Sequence, residues 1–182
     1  DGTVLALRAR DVTDEGKNLV SPTQHNLIKL GNIANGYLIE AIQYEAYSVL
    51  TNKCPSGANR GIGKPFMCFA VERAMTLLAR RLGLDPAEVR MRNYVRPEEM
   101  PYTTPPGARY DSGDYPATLR TALARFDYAG WRAEQGRARA AGRLLGIGIA
   151  TSVEPAGTNL ASYELITGRR AASGSAEAAM VR

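Results

Sequence analysis

Apolar residues recur along this chain with two different spacings. In Thr3–Val12 (TVLALRARDV) they partly alternate with polar ones, as in a half-exposed strand. Ala41–Asn52 (AIQYEAYSVLTN) repeats the alternation and predicts a second strand. From Phe66 onward the spacing changes. Met67, Ala70, Val71, Ala74, Leu77 and Leu78 fall on one helical face, widened by Phe69, Met75 and Leu82. The pattern predicts a largely buried helix ending at Leu82, with Glu72, Arg73, Arg80 and Arg81 on the remaining face. Pro65 suits its first turn and Gly83 its end.

The rest of the chain is read from capping and turn residues. Asp85, Pro86 and Glu88 read as a capping box opening a further helix. Asp114 is placed to cap a helix over Tyr115–Phe126, and Trp131–Ala141 predicts a shorter arginine-rich helix with Trp131 as its core anchor. Leu144–Val153 (LLGIGIATSV) reads as a buried strand, and Ser162–Ile166 and Ala176–Val181 as two more. Thr13–Asn35 is polar and predicts loop with a short helix, His25 exposed within it. Arg96–Gly113 is a proline-bearing connection, ordered by packing of Tyr102 and Tyr110. The whole predicts one α+β domain. Asp1-Gly2 reads as half of a hairpin turn and Arg182 falls within a strand, so both ends are expected to be cut.

Composition narrows the function classes. The chain has 182 residues, is 45% hydrophobic and carries a net charge of +5. It has no apolar run of membrane-spanning length. Its basic residues do not interleave with a regular aromatic set, which argues against a nucleic-acid surface. The excess reads as solvated surface, or as contact with an anionic cofactor or partner subunit. Two cysteines, Cys54 and Cys68, and a single histidine leave almost no ligands for zinc. Free thiols fit a reducing compartment, so a cytoplasmic location is expected.

The chemistry lies between strand and helix, in Gly57-Ala58-Asn59-Arg60-Gly61-Ile62-Gly63-Lys64-Pro65. Glycines let backbone N–H groups face a ligand, the helix start adds partial positive charge, and Arg60 and Lys64 add full charges. An anion site results, with Arg60 able to make a bidentate contact. A tight structural turn with Arg60 and Lys64 in water is the plain alternative. The phosphate-binding pattern G-x-x-x-x-G-K-[ST] fails twice, because Ala58 replaces its first glycine and Pro65 its Ser/Thr.

Motifs then follow in a fixed order: Thr51-Asn52 before the loop, Arg60-Gly61-Ile62-Gly63-Lys64-Pro65 within it, and Glu72-Arg73 on the helix. Leu82-Gly83-Leu84-Asp85-Pro86-Ala87-Glu88-Val89-Arg90 leads to Asn93, and Met100-Pro101-Tyr102, Tyr110–Tyr115, Gly146–Ala150 and Glu154–Gly157 come after. This series resembles the molybdopterin-binding large subunit of the xanthine dehydrogenase, aldehyde oxidase and aerobic carbon monoxide dehydrogenase family. The resemblance implies that residues 1–182 are a partial molybdenum-cofactor-binding domain, with mixed strands and several packed helices. It implies an enzyme that oxidises an aldehyde or N-heterocycle with water as the oxygen source. Electrons would pass to [2Fe-2S] clusters and FAD on partner subunits or domains.

By the same resemblance Arg60, Gly61, Gly63 and Ala58 would contact the molybdopterin, possibly in its cytosine dinucleotide form, and Ile62 and Asn59 would line the substrate pocket. The copper-holding cysteine of carbon monoxide dehydrogenases is Gly61 here, which argues against that reaction. The family's catalytic glutamate falls outside these residues, so Glu72, Glu88 and Glu154 are expected to be a surface residue, a helix cap and a strand end, and no catalytic residue is assigned. A non-catalytic interaction module and a nucleotide- or nucleic-acid-binding domain remain the other classes.

Overall fold

The computed structural model describes residues 1–19, 22–57, 59–154 and 168. Strand β1 (Ala6–Gly16), helix α1 (Pro22–Gly31) and strand β2 (Ala41–Leu50) form a β–α–β unit. The strands are parallel, in register from Ala6 opposite Ala41 to Asp14 opposite Val49, with a bulge before Gly16. Helix α2 (Lys64–Leu82), helix α3 (Pro86–Asn93), a short 3-10 turn (Pro97–Glu99), the two-residue strands β3 (Tyr102–Thr103) and β4 (Arg109–Tyr110), and helices α4 (Tyr115–Arg125) and α5 (Tyr128–Ala140) complete the order. The architecture is α+β, as the patterning predicted. β1 runs four residues beyond its predicted end, and α1 is the short helix expected within the polar stretch 13–35. His25 sits half-buried on α1 rather than exposed in a loop.

The core is formed where α2 and α3 meet the β–α–β unit. Ile33, Tyr37, Ile39, Met67, Val71, Met75, Val89, Tyr94 and Leu119 are buried together. Full burial of one such side chain contributes about 1.5–3 kcal/mol. Helix α2 buries Met67, Val71, Glu72, Met75 and Ala79. The predicted burial of Ala70, Ala74 and Leu77 is corrected: that side faces solvent, and Phe69 is 74% exposed. α2 rests on neighbours along one side only, so a broad apolar face was not needed to seat it. The predicted surface position of Glu72 is reversed for the same reason, since it shares the buried stripe.

Helix ends follow the sequence closely. Gly83, in the left-handed conformation, ends α2. Asp85 caps α3 by accepting from the Ala87 N–H, and Asp114 caps α4 by accepting from the Ala117 N–H. Glu88 does not close a capping box; it pairs with Arg92 one turn on. Trp131 is 43% exposed and stacks on Phe126 rather than anchoring the core. Tyr102 and Tyr110 do order the proline-bearing connection, facing each other across β3 and β4. Residues 144–153 run extended with alternating burial, but form no ladder among the described residues. The predicted strands at 162–166 and 176–181 lie outside the described residues.

Candidate functional site

The glycine-rich loop is anchored at both ends. At its entry, Gly16 approaches Cys54 so closely that a Cβ would stand 2.0 Å from the Cys54 carbonyl oxygen. The Lys17 N–H donates to Lys53 O, the Thr51 N–H to Gly16 O and the Ser56 N–H to Glu15 O. Asp14 accepts from Lys53 Nζ at 2.6 Å and from the Thr51 hydroxyl. Those hydrogen bonds hold its carboxyl down to about 2. Buried Glu15 accepts from the Ser56 hydroxyl at 2.6 Å. At the exit, Gly63 has φ +79° and lies against α1, where a Cβ would meet Lys29 Cγ at 2.8 Å. Lys29 is itself buried and held by Asp11 and Thr13, each at 2.6 Å. Asp11 is lowered despite its burial, because Lys29, Tyr44 and Thr13 donate to it. A non-glycine residue at 63 would lift the loop off α1.

Between these anchors the loop turns back on itself. The Ile62 N–H donates to Asn59 O at 2.9 Å, and the Lys64 N–H to Gly61 O at 3.1 Å. Asn59 is exposed and its side-chain oxygen accepts from the Arg60 N–H. Ile62 is half-buried with φ +34°, a conformation disfavoured for a β-branched residue. The Arg60 side chain is exposed and makes no hydrogen bond or ion pair among the described residues. Ala58 lies outside the described residues. Lys64, expected to add its charge to the anion site, is instead paired with Glu154 at 3.0 Å. Glu154, expected at a strand end, is thus an ion-pair partner of the loop.

Sequence reading missed a buried network behind the loop. Glu72 and Arg90 are buried and paired, with Arg90 Nε donating to Glu72 Oε2 at 2.8 Å. Glu72 also accepts from Tyr37 OH at 2.5 Å, Asn35 Nδ2 at 3.2 Å and the Thr151 N–H at 3.2 Å. Burial, Tyr94 and Glu72 push the Tyr37 phenol far above its usual range, so it stays a donor. One signal was available: an acid inside an apolar stripe requires a buried base. A cleft of about 1010 Å³ lies beyond the network, walled by Asn35, Tyr94, Tyr115, Phe126 and the segment 148–154. Its walls include Glu154 but no described residue of the Arg60 loop.

Residues 1–94 match the model of the molybdopterin cofactor-binding domain. That match covers the loop and the Glu72–Arg90 pair. The chain belongs to this family, that of the molybdenum hydroxylase large subunits. It is 35% identical over 170 residues to the carbon monoxide dehydrogenase large chain of Hydrogenophaga pseudoflava, covering 86% of this chain and 20% of that one. It is 40% identical over 121 residues to the nicotine 6-hydroxylase large subunit of Paenarthrobacter nicotinovorans, covering 66% of this chain and 15% of that one. Among solved structures, quinoline 2-oxidoreductase from Pseudomonas putida 86 superposes with a TM-score of 0.71 at 36% identity, over 78% of this chain and 18% of that one. The chain therefore spans about a fifth or less of the length of these relatives.

Within this molybdopterin-binding fold, the ordered motifs gain physical meaning. Glu72 and Arg90, from two separate motifs, are ion-pair partners. Asn93 donates to Gly2 O and accepts from the Val4 N–H, tying the start of the chain to α3. Cys54 and Cys68 are free. No helix among the described residues is long and apolar enough to cross a membrane.

Proposed function

We propose that this chain contributes the Arg60 loop to the cofactor site of a molybdenum hydroxylase acting on an aldehyde or N-heterocycle. The observation that carries the reading is Arg60 itself: an exposed guanidinium, unpaired among the described residues, on a loop pinned at both ends. Such a group suits the anionic part of a molybdopterin. The open side of Gly57, where a Cβ would meet nothing within 4 Å, leaves room for a ligand against the backbone. Arg60 would bind the cofactor's phosphate or pterin oxygens bidentately, with Gly61, Gly63 and Ala58 allowing close approach of the main chain. Bound there, the group supplies the redox chemistry of substrate oxidation.

Ile62 and Asn59 would shape the adjoining wall. An aliphatic side chain at 62 favours an apolar or heteroaromatic substrate without ring stacking from this position. Gly61 offers no thiolate, so carbon monoxide oxidation through copper is not part of the proposal. The names of the nicotine- and quinoline-oxidising relatives support an N-heterocycle as the first class to assay. Electrons would leave to [2Fe-2S] and FAD partners, the pterin would carry a cytosine dinucleotide, and the enzyme would work in the cytoplasm with its thiols reduced. In the intact protein, Arg60→Ala is expected to weaken cofactor affinity at least about tenfold, the loss of a charged hydrogen bond of ~1.5–3 kcal/mol, and with it to lower molybdenum and pterin occupancy or turnover. Unchanged occupancy and turnover would remove Arg60 from the site.

A further inference from the structure

The segment Ile149–Glu154 is held without backbone pairing to any strand among the described residues. Arg90 Nη2 donates to Ile149 O at 3.0 Å, and the Thr151 N–H donates to Glu72 Oε2. Asn35 Nδ2 donates to Thr151 O at 2.8 Å, while Asn35 Oδ1 accepts from the Val153 N–H at 3.4 Å. Tyr94 OH donates to the Thr151 hydroxyl at 2.9 Å. Side chains around Glu72 thus do the work of a neighbouring strand. One residue beyond Val153, Glu154 reaches Lys64 at the foot of the loop.

The polarity of this network runs in one direction. Glu72 presents only acceptors, so the Asn35 amide must turn its NH2 toward it. That leaves the Asn35 oxygen facing the Val153 N–H and its NH2 facing Thr151 O, which is the pairing an extended neighbour needs. A glutamine at 72 breaks the pattern whichever way its amide faces. Its NH2 meets either Arg90 Nε and the Thr151 N–H, or the Asn35 NH2. Turning Asn35 over would then set donor against donor at Val153 and acceptor against acceptor at Thr151.

We propose that Glu72 is a positioning residue for the loop: by fixing the Asn35 amide it seats residues 149–154 and so holds the Lys64–Glu154 ion pair. This leaves Arg60 as the loop's cation without a partner among the described residues. The last link, to cofactor, rests on the function proposed above.

The test is the rate at which the Lys64 amine is acetylated in the intact protein, read by peptide mass spectrometry beside cofactor content. Lys53 serves as the exposed control and Lys29 as the control for global opening. Glu72→Gln and Glu154→Gln should each speed Lys64 acetylation about two- to fivefold, the range spanned by a partly exposed ion pair. The double variant should be no faster than Glu154→Gln alone. Asn35→Gly keeps the left-handed backbone and the Glu72–Arg90 pair, so it should reproduce the effect even if Glu72→Gln does not fold. Wild-type Lys64 rates in Asn35→Gly, additive effects in the double variant, or parallel acceleration of Lys29 would each overturn the proposal. Faster Lys64 acetylation with full cofactor occupancy would uphold the positioning role and show that cofactor binding does not depend on the Lys64–Glu154 pair.

Discussion

Arg90→Met is the most demanding perturbation of this fold. Methionine replaces the stem of the arginine and removes its guanidinium. That group makes five hydrogen bonds: to Glu72 Oε2, Pro86 O, Glu72 O, the Thr76 hydroxyl and Ile149 O. The Pro86 and Glu72 carbonyls belong to helices and keep their helical partners, so little is lost there. Thr76 can still donate to Glu72 O. The large cost falls on the Glu72 carboxylate, buried and left without its cation. Breaking one side of a buried pair costs about 3–5 kcal/mol. That compares with a total stability of about 5–15 kcal/mol for a domain. Native-state hydrogen exchange of the α2 and α3 amides in the intact protein reads the loss locally. Exchange should accelerate about 10²–10³-fold or more, each 1.4 kcal/mol being tenfold. An acceleration below about fivefold would refute the reasoning, because it would mean that water readily replaces the guanidinium.

Three further outcomes are expected. Lys53→Met should raise the Asp14 carboxyl from about 2 toward the ordinary aspartate range in an NMR titration; with the value depressed in the fold, its stabilising contribution is present above the ordinary value and lost as pH falls toward 2. The Tyr128 phenol, pushed up to about 12 by burial and then by its hydrogen bonds to Asp85, should fall in Asp85→Asn when followed by ultraviolet absorbance. Its contribution is complete below the ordinary tyrosine value and disappears as pH rises through 12. Ile62→Gly should be neutral or stabilising by up to about 1 kcal/mol in thermal melts, since a left-handed backbone costs an L-residue roughly 1–2 kcal/mol and glycine returns part of that gain; a clear loss would show that the Ile62 side chain packs.

Local rules carried well into three dimensions here, and tertiary ones did not. Asp85, Asp114, Gly83 and Pro65 act within a few residues of themselves, so their roles as caps and first-turn residues were legible. The α2 face was misjudged because Ala70, Ala74 and Leu77 satisfy helical spacing equally well whether or not a neighbour arrives. Glu72 looked like a surface acid for want of its partner, 18 residues away on another helix. Residues 144–153 have the alternation of a strand, yet the partners of 149–153 are side chains, which no periodicity reveals. The loop was legible only as a candidate anion site, from its glycines and Arg60. The loss of Lys64 to Glu154 was not, since the two lie 90 positions apart.

The most direct test of the cofactor reading is molybdenum and released pterin per mole of the intact native protein, grown with molybdate. Near-stoichiometric molybdenum with pterin in the wild type, falling together in Arg60→Ala, is the predicted result. Intact wild-type protein holding neither would contradict the account and leave Arg60 on a structural turn.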